Sequence, residues 1–155
     1  MIVRRYRSAD SVALAALYVR SVRLIGGRTY SPAQVEAWAS LSPSARTLDD
    51  LCGDGRVRLV AVDDADRPAA FADLTPDGHI HFLYCAPEFA GQGVASAVYE
   101  ELERVARAQG IGRLYAEASE AARRFFLKQG FAIIARRDFD IAGIAIHNYA
   151  VEKFL

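Results

Sequence analysis

The sequence predicts an α+β fold: one domain over residues 1–155, with about seven strands and four helices in the order β-α-α-β-β-β-α-β-α-β-β. Two observations support this prediction. Apolar residues recur at helical spacing in four segments, and apolar or alternating segments bounded by turn residues account for the strands. No repeat, low-complexity stretch or linker divides the chain, so a single domain is expected.

The first part of the chain combines one strand with two helices. The segment IVRRY alternates as a half-buried strand does, and Ser8 or Asp10 is placed to cap the helix that follows. The apolar stripe of that helix ends at Gly26. Ser31 then opens a capping box with proline at the first helical position, which predicts a second helix to about Leu41. The stretch SPSARTLDDLCGDG is predicted to be irregular.

From Arg56 onward the pattern changes to strands. RVRLVAVD, AAFADL and HIHFLYCA are joined by the short turns DADRP and TPDG, which predicts an antiparallel meander. A helix then runs from Val94 to Gly110 with one apolar face. RLYAEA is the next strand, EAARRFFLKQ a short helix, and a last pair of strands flanks IAG.

Composition excludes several classes of function. Lys plus Arg equals Asp plus Glu at 19 each, and a net charge of zero argues against broad nucleic-acid binding. No apolar run has the length of a membrane span or a signal peptide, so a cytoplasmic protein is expected. Cys52 and Cys85 lack the spacing of a disulfide or metal motif, so we expect reduced thiols and no metal site.

The segment AGQGVAS, residues 90–96, joins a strand to a helix. It is too short for the dinucleotide fingerprint and lacks the lysine of a P-loop. Gly91 and Gly93 would leave backbone N–H groups free at a helix N-terminus, where an anion such as pyrophosphate is favoured. The alternative is that the glycines only permit a sharp reversal from strand to helix.

With this turn, nearly the whole chain resembles the GCN5-related N-acetyltransferase (GNAT) family. The family's acetyl-CoA segment has the form Q/R-x-x-G-x-G/A, and AGQGVA places Gly93 and Ala95 in register. AARRFFLKQGF is similar to the family's A-x-x-F/L-Y-x-x-x-G-F helix. The sequence looks most like a small bacterial subgroup of unknown substrate. The resemblance implies the GNAT fold, with a mixed, mostly antiparallel twisted sheet, and an acetyl-CoA-dependent N-acetyltransferase.

Two positions depart from the family pattern. Ala90 stands where the family has glutamine or arginine, which removes one side-chain contact to the pyrophosphate. Phe126 stands where the family presents a tyrosine, and phenylalanine has no proton to give. These departures motivate an alternative function: a non-catalytic acyl-CoA-binding or regulatory domain on the same fold.

The resemblance also implies where acetyl-CoA binds. A V-shaped opening between HIHFLYCA and RLYAEA would hold the pantetheine arm, whose amides would pair with strand backbone as an added strand does. Ser119 occupies the position where the family commonly has an asparagine that meets this arm. The residues expected to bind the cosubstrate are Leu83, Tyr84, Cys85, Gly91, Gln92, Gly93, Val94, Ala95, Ser96, Ser119 and Phe125.

Acetyl transfer to an amine needs a base, a stabilised oxyanion and a proton for the leaving thiolate. His81 is the leading base, because HFLYCA is similar to a segment in which histone-type members carry a glutamate four residues before the cysteine. Glu117 is the second candidate on this side of the opening. Tyr149, Tyr84 or Ser119 would replace the missing tyrosine, or water protonates the thiolate. The alternative for each is an ordinary solvated or core residue.

The expected acceptor is the primary amine of a small molecule or peptide. Tyr30 and Trp38 would wall its pocket, although both also fit a core role, and Asp73 would hold its positive charge. The neutral net charge favours neither acidic nor basic partners. The final hairpin, if exposed, is the expected edge of a homodimer.

Overall fold

The computed structural model describes residues 1–155 as seven strands and five α-helices. The elements, in chain order, are β1 (Ile2–Arg5), α1 (Ser11–Leu24), α2 (Pro32–Ala39), α3 (Ala45–Leu51), β2 (Val57–Val62), β3 (Pro68–Leu74), β4 (Ile80–Cys85), α4 (Val94–Ala108), β5 (Arg113–Ala118), α5 (Glu120–Lys128), β6 (Ala132–Ile141) and β7 (Ile144–Phe154). The predicted α+β class and the seven strands, in the predicted order along the chain, are confirmed, and the structure adds a fifth helix to the predicted four. None of the helices has the length and apolar character that a membrane crossing requires.

The fifth helix, α3, lies in the stretch that the sequence predicted to be irregular. Ser44 caps it by accepting a hydrogen bond from the backbone N–H of Thr47. Leu48 is its one buried residue and is fully enclosed beneath α1. A seven-residue helix with a single buried position has too little periodicity to be recognised, which explains the missed element.

The strands form two antiparallel sheets, in the orders β1-β2-β3-β4 and β5-β7-β6. The sheets touch through one parallel bridge between His79 and Tyr115. Just after that bridge β4 has one extra residue at His81–Phe82, because its partner β3 passes from Leu74 to Ala72 while β4 passes from Ile80 to Leu83. Such a bulge increases the local twist. The sheets consequently diverge beyond the bridge and leave an opening between β4 and β5.

Two hydrophobic cores lie on the opposite faces of the first sheet. α1 covers one face and packs its buried leucines against residues such as Val60 and Phe71. α4 covers the other face, where Val98 and Leu102 pack against the small side chains of β3. Strands β2 and β3 are therefore buried on both faces, and they hold the walls of the opening rigidly in place.

Candidate active site

Two adjoining cavities fill the opening between the sheets and share the residues Trp38, Leu83, Tyr84, Ser119 and Ala122. The first, here called the turn cavity, has a volume of about 220 Å³ and reaches the glycine turn at Gly91 and Ala95. The second, the aromatic cavity, measures about 150 Å³ and lies under the β6–β7 hairpin. The two cavities therefore border each other at these five residues.

The glycine turn leaves its backbone donors free. Gly91 and Gly93 have φ angles of +75° and +79°, a left-handed conformation that glycine adopts without strain. The N–H groups of Gly91, Gly93 and residues 94–96 make no hydrogen bond within the protein, whereas that of Gln92 donates to the carbonyl of Phe89. The free donors lie at the N-terminus of the 15-residue helix α4, an anion-binding arrangement.

The predicted cosubstrate residues divide into three groups. Lining the turn cavity are Leu83, Tyr84, Cys85, Gly91, Ala95, Ser119 and Phe125. Contributing a free backbone N–H are Gly93, Val94 and Ser96, although the Val94 side chain packs in the core and the Ser96 hydroxyl accepts from Gln129. Gln92 does neither: its backbone N–H donates to the carbonyl of Phe89, and its side-chain amide donates to the carbonyl of Glu88.

Cys85 lines the turn cavity as an unpaired thiol. Burial raises the pKa of this thiol to about 11, and its Sγ lies 3.4 Å from the carbonyl of Ala86. The thiolate is the reactive form of cysteine, so a thiol that stays protonated at neutral pH is a poor nucleophile. This arrangement disfavours a covalent acetyl-cysteine.

One edge of β4 is open to the cavities. Its other edge pairs with β3, and its contact with β5 ends at the bridge between His79 and Tyr115. The backbone from Leu83 to Cys85 therefore faces the opening without a strand partner there. An extended ligand with amide groups fits such an edge.

His81 lines the aromatic cavity, but its ring is already engaged. A guanidinium nitrogen of Arg56 lies 2.8 Å from its Nδ1. Because a guanidinium only donates, Nδ1 is the acceptor and the proton of the neutral ring is on Nε2. Partial desolvation of the ring against the cavity and the positive charge of Arg56 both lower the pKa of His81. The ring is neutral at neutral pH, without a free lone pair for a substrate proton.

Glu117 lines the same cavity with a carboxylate that is partly free. His79 Nε2 lies 2.6 Å from Glu117 Oε2, and Oε1 has no protein partner. The hydrogen bond to His79 lowers the pKa of Glu117, so the side chain is ionised at neutral pH. Glu117 is the only acidic residue in the lining of this cavity.

The prediction that Asp73 faces the opening is wrong. Its side chain is fully buried, and Arg58 binds both of its carboxylate oxygens at 2.6 and 2.8 Å. Arg56 donates to it as well, at 2.9 Å. The alternation of β3 could not reveal these partners, because they lie on the neighbouring strand β2 and in the turn before it. Asp73 is part of an ion-pair network behind the cavity wall.

Tyr149 lies outside both cavities. Its hydroxyl donates to Glu120 at 2.9 Å, and the guanidinium of Arg123 stacks over its ring. His147, which does line the aromatic cavity, contacts the same Glu120 oxygen at 2.6 Å. The structure therefore brings His81 and Glu117 together but leaves Tyr149 behind the wall.

The two predicted acceptor residues both line the aromatic cavity. Tyr30 is fully engaged, since its hydroxyl donates to the carbonyl of His147 and accepts from the N–H of Glu120. Trp38 packs edge-on against Tyr30 and lines both cavities. Tyr84 lies at the same junction, and burial raises its pKa well above the ordinary value, which keeps its hydroxyl protonated.

Sequence reasoning missed several residues of the site. His79 was overlooked although it is two residues from His81, a proximity visible in the string HIH. No sequence pattern indicated which residues form the roof of the aromatic cavity, because the roof depends on how the β6–β7 hairpin bends over α2. That roof consists of Phe139, Ile141, Ile146, His147 and Asn148.

Comparisons with known proteins agree with this geometry. The sequence model of the acetyltransferase (GNAT) domain matches residues 27–153. The uncharacterized N-acetyltransferase YafP of Escherichia coli (strain K12) is 29% identical over 147 residues, 95% of this chain and 91% of that protein. A GCN5-related N-acetyltransferase from Rhodopseudomonas palustris has 32% identity and a TM-score of 0.89, over 99% of this chain and 95% of that one.

A more distant relative has the same fold and was solved with a ligand bound. The PaiA N-acetyltransferase from Thermoplasma acidophilum, in complex with coenzyme A, has a TM-score of 0.79 at 19% identity, over 99% of this chain and 98% of that one. GNAT homologues thus bind CoA, in agreement with the acetyl-CoA expected from the sequence. Together the family match and these relatives confirm the predicted fold and enzyme class: the chain belongs to the GNAT family of N-acetyltransferases.

Proposed function

We propose that this protein transfers an acetyl group directly from acetyl-CoA to the primary amine of a small molecule or peptide. One observation carries the proposal: the cavity that reaches the glycine turn adjoins the cavity that contains Glu117, and the two share five lining residues. Direct transfer needs the donor and the acceptor to meet at one point. The family implies an acetyl acceptor.

The chain's own residues fit acetyl-CoA in the turn cavity. The free N–H groups of Gly91, Gly93 and residues 94–96 would hold the pyrophosphate, with no help from a polar side chain at Ala90. The open edge of β4 near Leu83 would pair with the amides of the pantetheine arm. Bound acetyl-CoA supplies the activated acetyl group.

Glu117 is the proposed base and ammonium ligand. Its ionised carboxylate has one oxygen without a protein partner, and it is placed in the wall that the amine would approach. It would hold the incoming ammonium and take its proton, directly or through water. His81, whose Nδ1 is occupied by Arg56, is proposed to form the wall and to donate through Nε2.

Tyr84 is the proposed proton donor to the thiolate. It lies at the junction of the cavities, and its raised pKa keeps the proton on the hydroxyl at neutral pH. Ser119 is the other hydroxyl at the junction; its Oγ accepts from the N–H of Ala122 as the cap of α5, which leaves its O–H able to donate, so Ser119 is the alternative proton donor. Tyr149 is not proposed, because Glu120 holds its hydroxyl outside the cavities.

The test is release of free CoA thiol from acetyl-CoA in the presence of a panel of primary amines, with mass spectrometry of the products. The proposal expects amine-dependent thiol release and an acetylated amine. Tight CoA binding with no release from any amine would instead favour the non-catalytic acyl-CoA-binding domain.

A further inference from the structure

We propose that the acceptor is a primary amine with a single positive charge on an apolar body and with no carboxylate of its own. This inference rests on the proposed function and specifies the class of its second substrate. It follows from the charges and the surfaces that line the aromatic cavity.

The charge of the cavity fits one ammonium group. Among its 16 lining residues Glu117 is the only acid, and there is no lysine or arginine. His81 is neutral, because Arg56 donates to its Nδ1, and partial desolvation and the charge of Arg56 lower its pKa. His147 has its own carboxylate partner, Glu120, which lies outside the lining. A second ammonium or a carboxylate on the acceptor would lose part of its solvation in the cavity without a partner in the lining, which is costly.

Two arginines lie just outside the cavity lining. Arg56, behind His81, is bound by Asp54 and Asp73. Arg137 donates to Asn148 at 3.1 Å and stacks over the ring of Phe139, outside the lining. Neither guanidinium is part of the cavity lining, although the charge of Arg137 reaches Glu117 and contributes to lowering its pKa.

The walls fit an apolar body. Eleven of the 16 lining residues are hydrophobic, and the aromatic ones are Tyr30, Trp38, Tyr84, Phe126 and Phe139. Tyr30 uses its hydroxyl within the protein, so its ring presents only an apolar surface. A partly open space of about 150 Å³ admits a compact group more readily than a long polar chain.

The experiment compares four amines that differ in charge: 2-phenylethylamine, phenylalanine, phenylalanine amide and spermidine. Thiol release is measured at neutral pH with saturating acetyl-CoA, and kcat/KM is determined for each. We expect 2-phenylethylamine and phenylalanine amide to exceed phenylalanine and spermidine about tenfold or more, because only the latter pair buries an unpaired charge.

A variant adds a second test. Asn148→Lys introduces a cation into the cavity lining and is expected to raise the use of phenylalanine relative to 2-phenylethylamine about threefold or more. Asn148→Gln is the matched control and should leave this ratio unchanged. A wild-type preference for phenylalanine or spermidine would overturn the inference while leaving the proposed function intact. Absence of turnover with every amine, despite CoA binding, would overturn both.

Discussion

The contacts of individual side chains distinguish two candidate bases that the sequence could not separate. His81 and Glu117 both line the aromatic cavity, but Arg56 occupies the basic nitrogen of His81. Glu117 has one bound and one free oxygen and stays ionised, because His79 lowers its pKa. The residue type and spacing pointed to His81, whereas the hydrogen-bond partners favour Glu117.

Replacing Glu117 by glutamine removes the proposed base while keeping the shape of the side chain. We expect kcat/KM for the amine to fall about 10²–10⁴-fold, the usual contribution of a general base, with CoA affinity unchanged. Thiol-release kinetics and calorimetric titration of CoA measure the two quantities. Glu152→Gln, which removes a carboxylate paired with Arg113 in the same sheet, is the control and should retain activity. Equal rates for both variants would remove Glu117 from the mechanism.

The two tyrosines provide a second test at this scale. Tyr84→Phe should lower kcat about tenfold or more, because the proposed proton donor to the thiolate is lost. Tyr149→Phe, which removes only the hydrogen bond to Glu120, should leave kcat near the wild-type value. Single-turnover rates with acetyl-CoA measure the effect, and a larger loss in Tyr149→Phe than in Tyr84→Phe would reverse the assignment.

At the scale of elements, the glycine turn and helix α4 form the proposed pyrophosphate site. The turn requires glycine at position 93 because of its backbone conformation. Steric crowding is not the reason, since a Cβ added at Gly93 would meet nothing within 4 Å. The left-handed φ of Gly93 nevertheless directs the chain into α4 and leaves the first N–H groups of the helix free. A side chain at this position would strain that geometry.

Alanine substitutions at the two ends of α4 distinguish the cost of backbone strain from a loss of CoA binding. Gly93 and Gly110 both have positive φ, +79° and +72°, and both face open space. Gly93→Ala and Gly110→Ala should each reduce the free energy of unfolding by about 1–2 kcal/mol. Only Gly93→Ala should also weaken CoA binding in calorimetry. Equal CoA affinities in the two variants would place the pyrophosphate elsewhere.

Glu103 joins α4 to β7 and makes stability depend on acid pH. Burial alone would raise its pKa, but hydrogen bonds from Lys153, Tyr99 and Arg107 outweigh this and lower the pKa of Glu103 to about 2. A lowered carboxyl pKa stabilises the fold above the unfolded-state pKa of about 4.3, and the stabilisation is lost as the pH falls toward 2. Glu103→Gln should therefore be less stable than wild type at pH 7, with the difference shrinking between about pH 5 and 2 in urea unfolding. A difference that stays constant over this range would contradict the assignment.

How far the sequence predicted these elements depended on how local their signals are. Strands β2 to β4 and helix α4 have strong patterns or turn residues, and they were recognised. Helix α3 has one buried residue, and the division into two sheets depends on a bulge in β4, so neither has a local signal. The same reason explains Asp73, whose partners Arg56 and Arg58 are distant from it in sequence.

At the scale of the whole molecule, function is proposed to follow from the divergence of two sheets. The bridge at His79 and Tyr115 joins them at one end, and the two cavities occupy the space beyond it. Strand β6 forms the outer edge of the second sheet, and Ile134 on it is 52% exposed. The homodimer expected from the final hairpin stays a prediction.

The central claim is that the acetyl group passes directly from acetyl-CoA to the amine at the junction of these cavities. Initial rates measured while both substrates are varied test it most directly, with an amine that supports turnover. Direct transfer predicts double-reciprocal lines that intersect, and no acetyl group on the protein after incubation with acetyl-CoA alone. Parallel lines, together with an acetylated residue such as Cys85, would contradict the account.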